Sequence, residues 1–564
     1  MALDFPFING SKDQWDEYYY RKIVDIVPSL DNTPDLIYGD KTLMWLRLVN
    51  NGTIPQEVVR GEYFIHVKNY GAVGDGVTND ATAILNAANA AVAKRVPLLF
   101  DGLKSYRVES LTLPANLMMQ TNGCLFKKIA NNQTYAIRIS DGTIFDYIRQ
   151  EVTGGASNEA GTYLNGSNIL GDSVEIYSLG GDQPGANALL VGDFTNTKSN
   201  IILRRVKITG FSSPMRTIKV TNSRFSNGDI SNFMCGIYVV DNEDVTYDKW
   251  RIKGTSQSSV APYNGQNGIL VESQGADYSC SNIRFTDILV DGAPEHSFRI
   301  GGGLSTRDVS YTNCVSRHPG NAPGNLSTGG GAFKALGVVG HWHSNISYIN
   351  CVAEDSNMNG AGLNNYTQFS FGFCEDVSLV SPKVRKRDNT TYAAQLALFL
   401  NSVRRIHVYD PNFQDLRVRG VHIGKDGTDN SLQGVDGVFI YGGYIHSPSP
   451  LGNGPLYFDT QQTVTKNVYI QDTVLAAGNY AWKSETETTV GADSGDYINC
   501  NVDITYQDAN TGLGAPPVQT SNKFLHTYRG AVYSTAMAGK NGSKYTDLTT
   551  GNFAIRKAAA WTVL

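Results

Sequence analysis

The chain has 564 residues, 41% of them hydrophobic and 18% charged, and carries a formal net charge of −5. That composition excludes a disordered chain. The slight acidity, with no basic run, excludes a protein built to follow a nucleic-acid backbone. No apolar run approaches the ~18 residues that a membrane helix needs, so no span is expected.

Residues 1–62 read as a separate attachment or capping segment. The opening MALDFPFINGSKDQWDE has neither the basic start nor the apolar run of a secretory signal, so synthesis and folding in a cytoplasm are expected. Over residues 13–27, Trp15, Tyr18, Tyr19, Ile23, Ile26 and Val27 fall on one helical face before Pro28. Such a helix packs either on its own domain or on another protein.

Residues 63–125 predict a cap with a short helix. In FIHVKNYGAVGDGVTN, residues 64–79, a strand runs into a glycine-rich turn, and Asn79 or Thr78 is placed to cap a helix. Ile84, Leu85, Ala88, Ala91 and Val92 would form its buried face. The glycine spacing is neither GxGxxG nor a P-loop, which excludes a phosphate cradle.

Residues 126–500 predict a parallel β-helix. From about residue 200 a unit recurs in the sequence: a polar residue, Val or Ile, a variable residue, then a large apolar one. It stands as Asn200-Ile201, Asp244-Val245, Asn282-Ile283, Asp308-Val309, Asn345-Ile346 and Asp376-Val377, with looser copies at Arg405-Ile406, Gly437-Val438 and Asn467-Val468. Alternation of period two within a repeat of about 30 residues is a solenoid of strands. The leucine–asparagine ladder of leucine-rich repeats and the longer hairpinned units of propellers are absent. Cys314 and Cys351 take equivalent places in successive units, as stacked interior residues do. The seven cysteines include no CxxC pair and are odd in number, which favours small buried hydrophobes over zinc ligands or a disulfide framework. Residues 501–564 predict a capping or trimerisation region. There PPVQTSN (516–522) breaks the pattern, and short strands surround Tyr528, Tyr533, Tyr545 and Trp561.

The segment NYGAVGDGVTNDATAI, residues 69–84, resembles the opening of the pectate-lyase-like right-handed β-helices of bacteriophage tailspikes and capsular polysaccharide depolymerases. The resemblance implies a homotrimer of the virion tail that recognises a bacterial capsule, exopolysaccharide or O-antigen. It also implies endo-cleavage by hydrolysis or β-elimination, with other tail proteins held through the N-terminal segment. The Asn-Thr-Asp and Gly-His-Gly motifs of secreted polygalacturonases are missing, which argues against plain pectin hydrolysis.

Lining up the coils gathers ionisable residues into columns. Glu295 with His296, Arg317 with His318, Glu354 with Asp355, Arg385 to Arg387, and Asp415 with Arg417 each follow the first strand of a coil. A second column sets Arg299 beside Lys334, two cations that call for an anion between them. Trp342 and His343 lie near, offering a stacking face and a donor. Solvated turns of any solenoid present such charges, so a glycan groove and a merely polar surface both fit. As catalytic candidates, Glu295 with Glu354 or Asp355 would serve a hydrolase, from backbones about two coils apart. His296 and His318, with Arg299, Arg317 and Lys334 holding a uronate, would serve a lyase. No cofactor is expected, and the histidines lack HExxH spacing for a metal. A spike that grips the glycan without cutting it is the alternative.

Overall fold

The computed structural model describes residues 64–129, 135–153, 159–179, 183–233, 235–254, 266–275, 279–320, 330–355, 367–387, 396–414, 416, 419–424, 434–447, 455–459 and 465–477. It also describes the short stretches 482–484, 497–498, 501–508, 525–530, 544–547, 553–557 and 560–563. The expected helix at 13–27, the break at 516–522, Asp415, Arg417 and Tyr533 lie outside the described residues. The fold is all-β, a right-handed solenoid of mostly parallel strands with a short helix toward its N-terminal end. It divides into two compact units, Met1–Leu179 and Gly180–Leu564.

In the first unit the glycine-rich segment is a structural turn. Asp80, itself buried, accepts the Val73 N–H at 2.7 Å and the Gly74 N–H at 3.1 Å, tying the turn to the start of helix Ala81–Lys94. Neither expected residue is the N-cap, a position that Asp80 holds; Asn79 stands one residue before it and accepts the Ala81 N–H at 3.2 Å, whereas the Thr78 hydroxyl donates to Asp75. The buried face of the helix is Ile84, Ala87, Ala88 and Ala91; Leu85 and Val92 are only half-buried. Beyond it, Ser105–Arg107, Leu125–Lys128, Ile144–Val152 and Ile169–Ser178 stack in parallel register.

The second unit carries the repeat. Val245, Ile283, Val309, Ile346, Val377, Ile406, Val438 and Val468 pair successively in register, and all are buried. The polar residue before each has a left-handed backbone: φ is 53° at Asn282, 56° at Asp308, 52° at Asn345, 54° at Asp376 and 80° at Gly437. Asn, Asp and Gly tolerate that conformation best, which is why the repeat opens on them. The large apolar residue that closes each unit stacks inside. Ring centroids along Phe225, Tyr247, Phe285, Tyr311 and Tyr348 are 5.3, 5.1, 5.0 and 5.0 Å apart. Cys314 and Cys351 are buried on adjacent coils, as their spacing predicts.

Each coil continues from this first sheet into a short second one, represented by Leu289–Asp291, Val315–Arg317, Val352–Glu354 and Lys383–Arg385. It then enters a third sheet with Ile237–Val240, Ile269–Glu272, Phe298–Gly301, Phe333–Leu336 and the first half of Thr367–Val380. Near the C-terminus, Phe553–Lys557 pairs antiparallel with both Lys544–Asp547 and Ala560–Val563, ending the parallel stack.

One close approach gives a stability prediction. A Cβ at Gly228 would fall 1.9 Å from the indole of Trp250, which is fully buried and donates Nε1–H to the Phe225 carbonyl at 3.0 Å. Gly228→Ala is expected to cost about 3 kcal/mol. Urea unfolding followed by tryptophan fluorescence checks it, and an unchanged midpoint refutes it.

Candidate functional site

The second sheet carries a ladder of alternating charge. Lys253, Asp291, Arg317, Glu354 and Arg385 occupy one register position on successive coils. They face outward, because the residues before them, Val290, Ser316, Ala353 and Val384, are buried. Glu354 is enclosed: Oε1 accepts from Arg385 Nη2 at 2.6 Å and Nε at 3.0 Å, and Oε2 from Arg317 Nη2 at 2.9 Å and Nε at 3.1 Å. Burial alone would raise its carboxyl, but the bonds from Arg385 and Arg317 outweigh it and hold the group below the ordinary carboxylate range.

His318, next to Arg317, sits with Nδ1 2.8 Å from Asp291 Oδ1 and Nε2 3.9 Å from Asp355 Oδ2. The Asp291 bond raises its imidazole against a burial that lowers it. Asp355 is buried, and its Oδ1 accepts the Arg387 N–H at 2.8 Å.

Glu295 and His296 do not head this column. Asp291 is the residue in register with Arg317, and the chain turns a corner after it. Glu295 and His296 therefore come at the entrance to the third sheet, where the Glu295 N–H bonds Gln266 O and the Gly268 N–H bonds His296 O. Glu295 and Glu354 are still two coils apart, but on different columns, so the stacking that would set their carboxylates face to face does not hold.

The outward column of the third sheet runs Arg216, Tyr238, Leu270, Arg299, Lys334, Ser370. Arg299 and Lys334 are direct neighbours in it, as their motifs suggest. The buried pair Glu295 and His296 packs against them. His296 Nδ1 accepts the Gly331 N–H at 2.8 Å, which leaves Nε2 3.3 Å from Glu295 Oε1 and 3.4 Å from Lys334 Nζ. Glycine at 331 lets the next coil close in, since a Cβ there would lie 2.1 Å from Thr367 O. Burial, with Lys334 beside it, pushes the His296 imidazole down to about 4, so the ring is neutral near pH 7. Arg299 Nη1 lies 3.4 Å from Glu295 Oε2, while its Nε is buried without a hydrogen-bond partner. Burial, and then Arg299, push the Lys334 ammonium down to about 8. The cluster thus joins a carboxylate, a neutral imidazole, a fixed cation and an amine that gives up its proton near neutrality.

Trp342 and His343 stand apart from it. The Trp342 ring meets Phe373 edge-on at 5.9 Å, with the Arg404 guanidinium 4.2 Å from its centroid. His343 is fully buried and accepts the Thr306 N–H on Nδ1 at 3.1 Å, so its ring does not reach the surface. Among the described residues no group of three or more His, Cys, Asp or Glu is arranged to hold a metal.

A groove of ≈ 580 Å³ went unforeseen. Lys383, Asp410, Asn412, Tyr444 and Asp472 are among its lining residues. Tyr409, Tyr441 and Gln471 are in successive register, so Asp410 and Asp472 stand two coils apart, with backbones about 9–10 Å from each other. Both have positive φ, 49° and 54°, at the turn out of the first sheet. The signal in the sequence is their shared place at the far end of the repeat, in Val408-Tyr409-Asp410 and Ile470-Gln471-Asp472.

No family model and no curated protein matches the chain. Among solved structures it is similar to the tailspike protein of E. coli bacteriophage HK620, with a TM-score of 0.50 and 9% identity over 90% of this chain and 91% of that one. It is also similar to the N-terminal fragment of bacteriophage Phi29 gene product 12, at 0.41 and 12% over 84% and 83%. The A-module of Azotobacter vinelandii mannuronan C-5 epimerase AlgE6 matches at 0.36 and 14%, over 72% and 98%. At such identities the first likeness shows a shared fold, the parallel β-helix, and the other two carry no argument.

Proposed function

We propose that this chain, which shares its fold with a phage tailspike, binds and endo-cleaves an acidic bacterial surface polysaccharide by β-elimination at the Glu295, His296, Arg299 and Lys334 cluster. The capsule, exopolysaccharide and O-antigen are the substrate classes in view. The observation that carries the reading is an amine with lowered proton affinity beside a fixed guanidinium on the outer face of the third sheet. Arg299 pairs with a uronate carboxylate and stabilises the charge that gathers there as the neighbouring C–H bond breaks. Neutral Lys334 takes the C5 proton, the C4–O bond breaks, a C4–C5 double bond forms, and the departing oxygen is protonated by water. With a value of about 8, roughly a tenth of the amine is neutral at pH 7. Trimeric assembly in a virion tail, with residues 1–62 on other tail proteins, belongs to the same reading.

Glu354 is disfavoured as the general acid of a hydrolase, because that role needs raised proton affinity and Glu354 has the reverse, and as the ionised partner it already has both oxygens engaged by Arg317 and Arg385. A hydrolytic reading has better support in the groove, where the carboxylates of Asp410 and Asp472 extend from backbones two coils apart, in keeping with the ~6.5–9.5 Å of an inverting pair.

Purified protein incubated with a panel of capsule and O-antigen polysaccharides tests these readings. Expected is shortening of an acidic glycan with new ultraviolet absorbance from unsaturated uronate. Shortening with reducing ends but without that absorbance moves the chemistry to Asp410 and Asp472. A glycan that is bound and never shortened makes the chain a binding spike.

A further inference from the structure

The outward column of the third sheet holds a second cation upstream of the proposed cleavage cluster. Arg216 is separated from Arg299 by Tyr238 and Leu270, so it lies three strand spacings away, about 14 Å. Lys334 is one spacing further on. Arg216 packs its guanidinium 4.7 Å from the Tyr238 ring centroid and 5.0 Å from that of Phe194, whose ring is half exposed. The carboxylate in the same neighbourhood, Glu272, is bonded instead by the Tyr238 hydroxyl and by Gln274 Nε2. Among the described residues no carboxylate lies within ion-pair reach of Arg216 or Lys334. Arg216 Nε, like Arg299 Nε, is buried without a hydrogen-bond partner. Two guanidinium groups on one column therefore share the same unmet donor, three spacings apart.

Resting on the acidic-glycan reading above, we infer that Arg216, backed by Tyr238 and Phe194, is a distal subsite for an acidic sugar. The substrate lies along the column, with one acidic group at Arg216 and another at Arg299 and Lys334. An extended pyranose chain advances by about one strand spacing per sugar. The two acidic groups are then three to four sugars apart along the chain. The aromatic faces beside Arg216 suit a sugar ring carrying a carboxylate, because the cation stays desolvated on one side and open on the other. Leu270, nearly buried between the two charged positions, puts no charge of its own on the sugars that separate them.

The test uses oligogalacturonates of two to eight residues and, in parallel, hyaluronan oligosaccharides, with binding measured by calorimetry at low salt. Affinity for the full chain is expected to step up at least tenfold between three and five sugars, when both cation sites are first spanned. Arg216→Met keeps the aliphatic contact with Phe194 and Tyr238 and removes the charge, so it should abolish the step and leave the affinity of shorter probes unchanged. Circular dichroism and thermal unfolding confirm that the variant is folded. Binding without a length step, or a step that survives in Arg216→Met, overturns the distal subsite and leaves the proposed function standing. Failure of the unsubstituted protein to bind either probe overturns the acidic-substrate reading and this inference with it.

Discussion

Lys334→Met should lower kcat for cleavage of a uronate-containing polysaccharide about 10²–10⁴-fold, the usual worth of a positioned general base. Methionine keeps most of the buried stem and removes the amine, and Arg299 still pairs with the substrate carboxylate, so KM should move far less than kcat. The pH profile distinguishes a base from a merely structural lysine. Only the neutral amine accepts a proton, so kcat/KM should climb with pH through about 8. Glu295, 3.3 Å from His296 Nε2 and acting on Lys334 through its charge, favours the protonated amine. Glu295→Gln removes that attraction and should shift the rising limb to lower pH, whereas a general acid at Glu295 would produce loss of activity at every pH. Cleavage by Lys334→Met at the unsubstituted rate would retire the amine as base.

How far the sequence disclosed this molecule depends on which part of a coil is considered. The first strand was readable to the residue, because three constraints coincide there. A left-handed backbone selects Asn, Asp or Gly, the next position must be β-branched to face inward, and the fourth, inward again after a variable outward residue, must be a large stacking group. The Arg299 and Lys334 pairing was readable for the same reason, since Phe298 and Phe333 mark the register with centroids 4.8 Å apart. The second sheet was not. Its strands are only three residues long, and chain of variable length separates them from the third sheet, so proximity in sequence did not fix a coil position. Glu295 was therefore counted with Arg317, when Asp291 is the residue opposite it. His343 shows a second limit. Its clustering with other histidines resembled a polar site, yet it pairs in register with buried Cys374 on the inward side of the strand. Alternation with Ile346 is broken there by the left-handed Asn345, which reverses the facing of everything before it.

Glu354→Gln should cost stability and leave cleavage intact. The wild-type carboxylate lies between Arg317 and Arg385 with its side chain only 3% exposed, and a neutral amide leaves both guanidinium groups short of charge compensation. Arg385 is half exposed, so water offsets part of the loss and the expected cost is about 2–3 kcal/mol. The pH dependence follows from the directions of the shifts. Glu354 and Asp291 hold their carboxyls below the ordinary range, so their contribution is complete above the unfolded value of about 4 and is lost as pH falls through the lower folded values. His318 is shifted upward by Asp291. Its contribution is complete below the unfolded value of about 6.5 and is lost as pH rises through the higher folded value. Stability should therefore peak between these limits and decline on both sides. Glu354→Gln should flatten the acid side alone, while His318→Gln should flatten the basic side and, because the His318 bond is what holds Asp291 down, soften the acid side as well. Thermal unfolding across that pH range reads both slopes independently of any substrate. A Glu354→Gln variant as stable as the unsubstituted chain at pH 6 but unable to cleave would reverse the assignment, making Glu354 part of the chemistry and the ladder incidental to the fold.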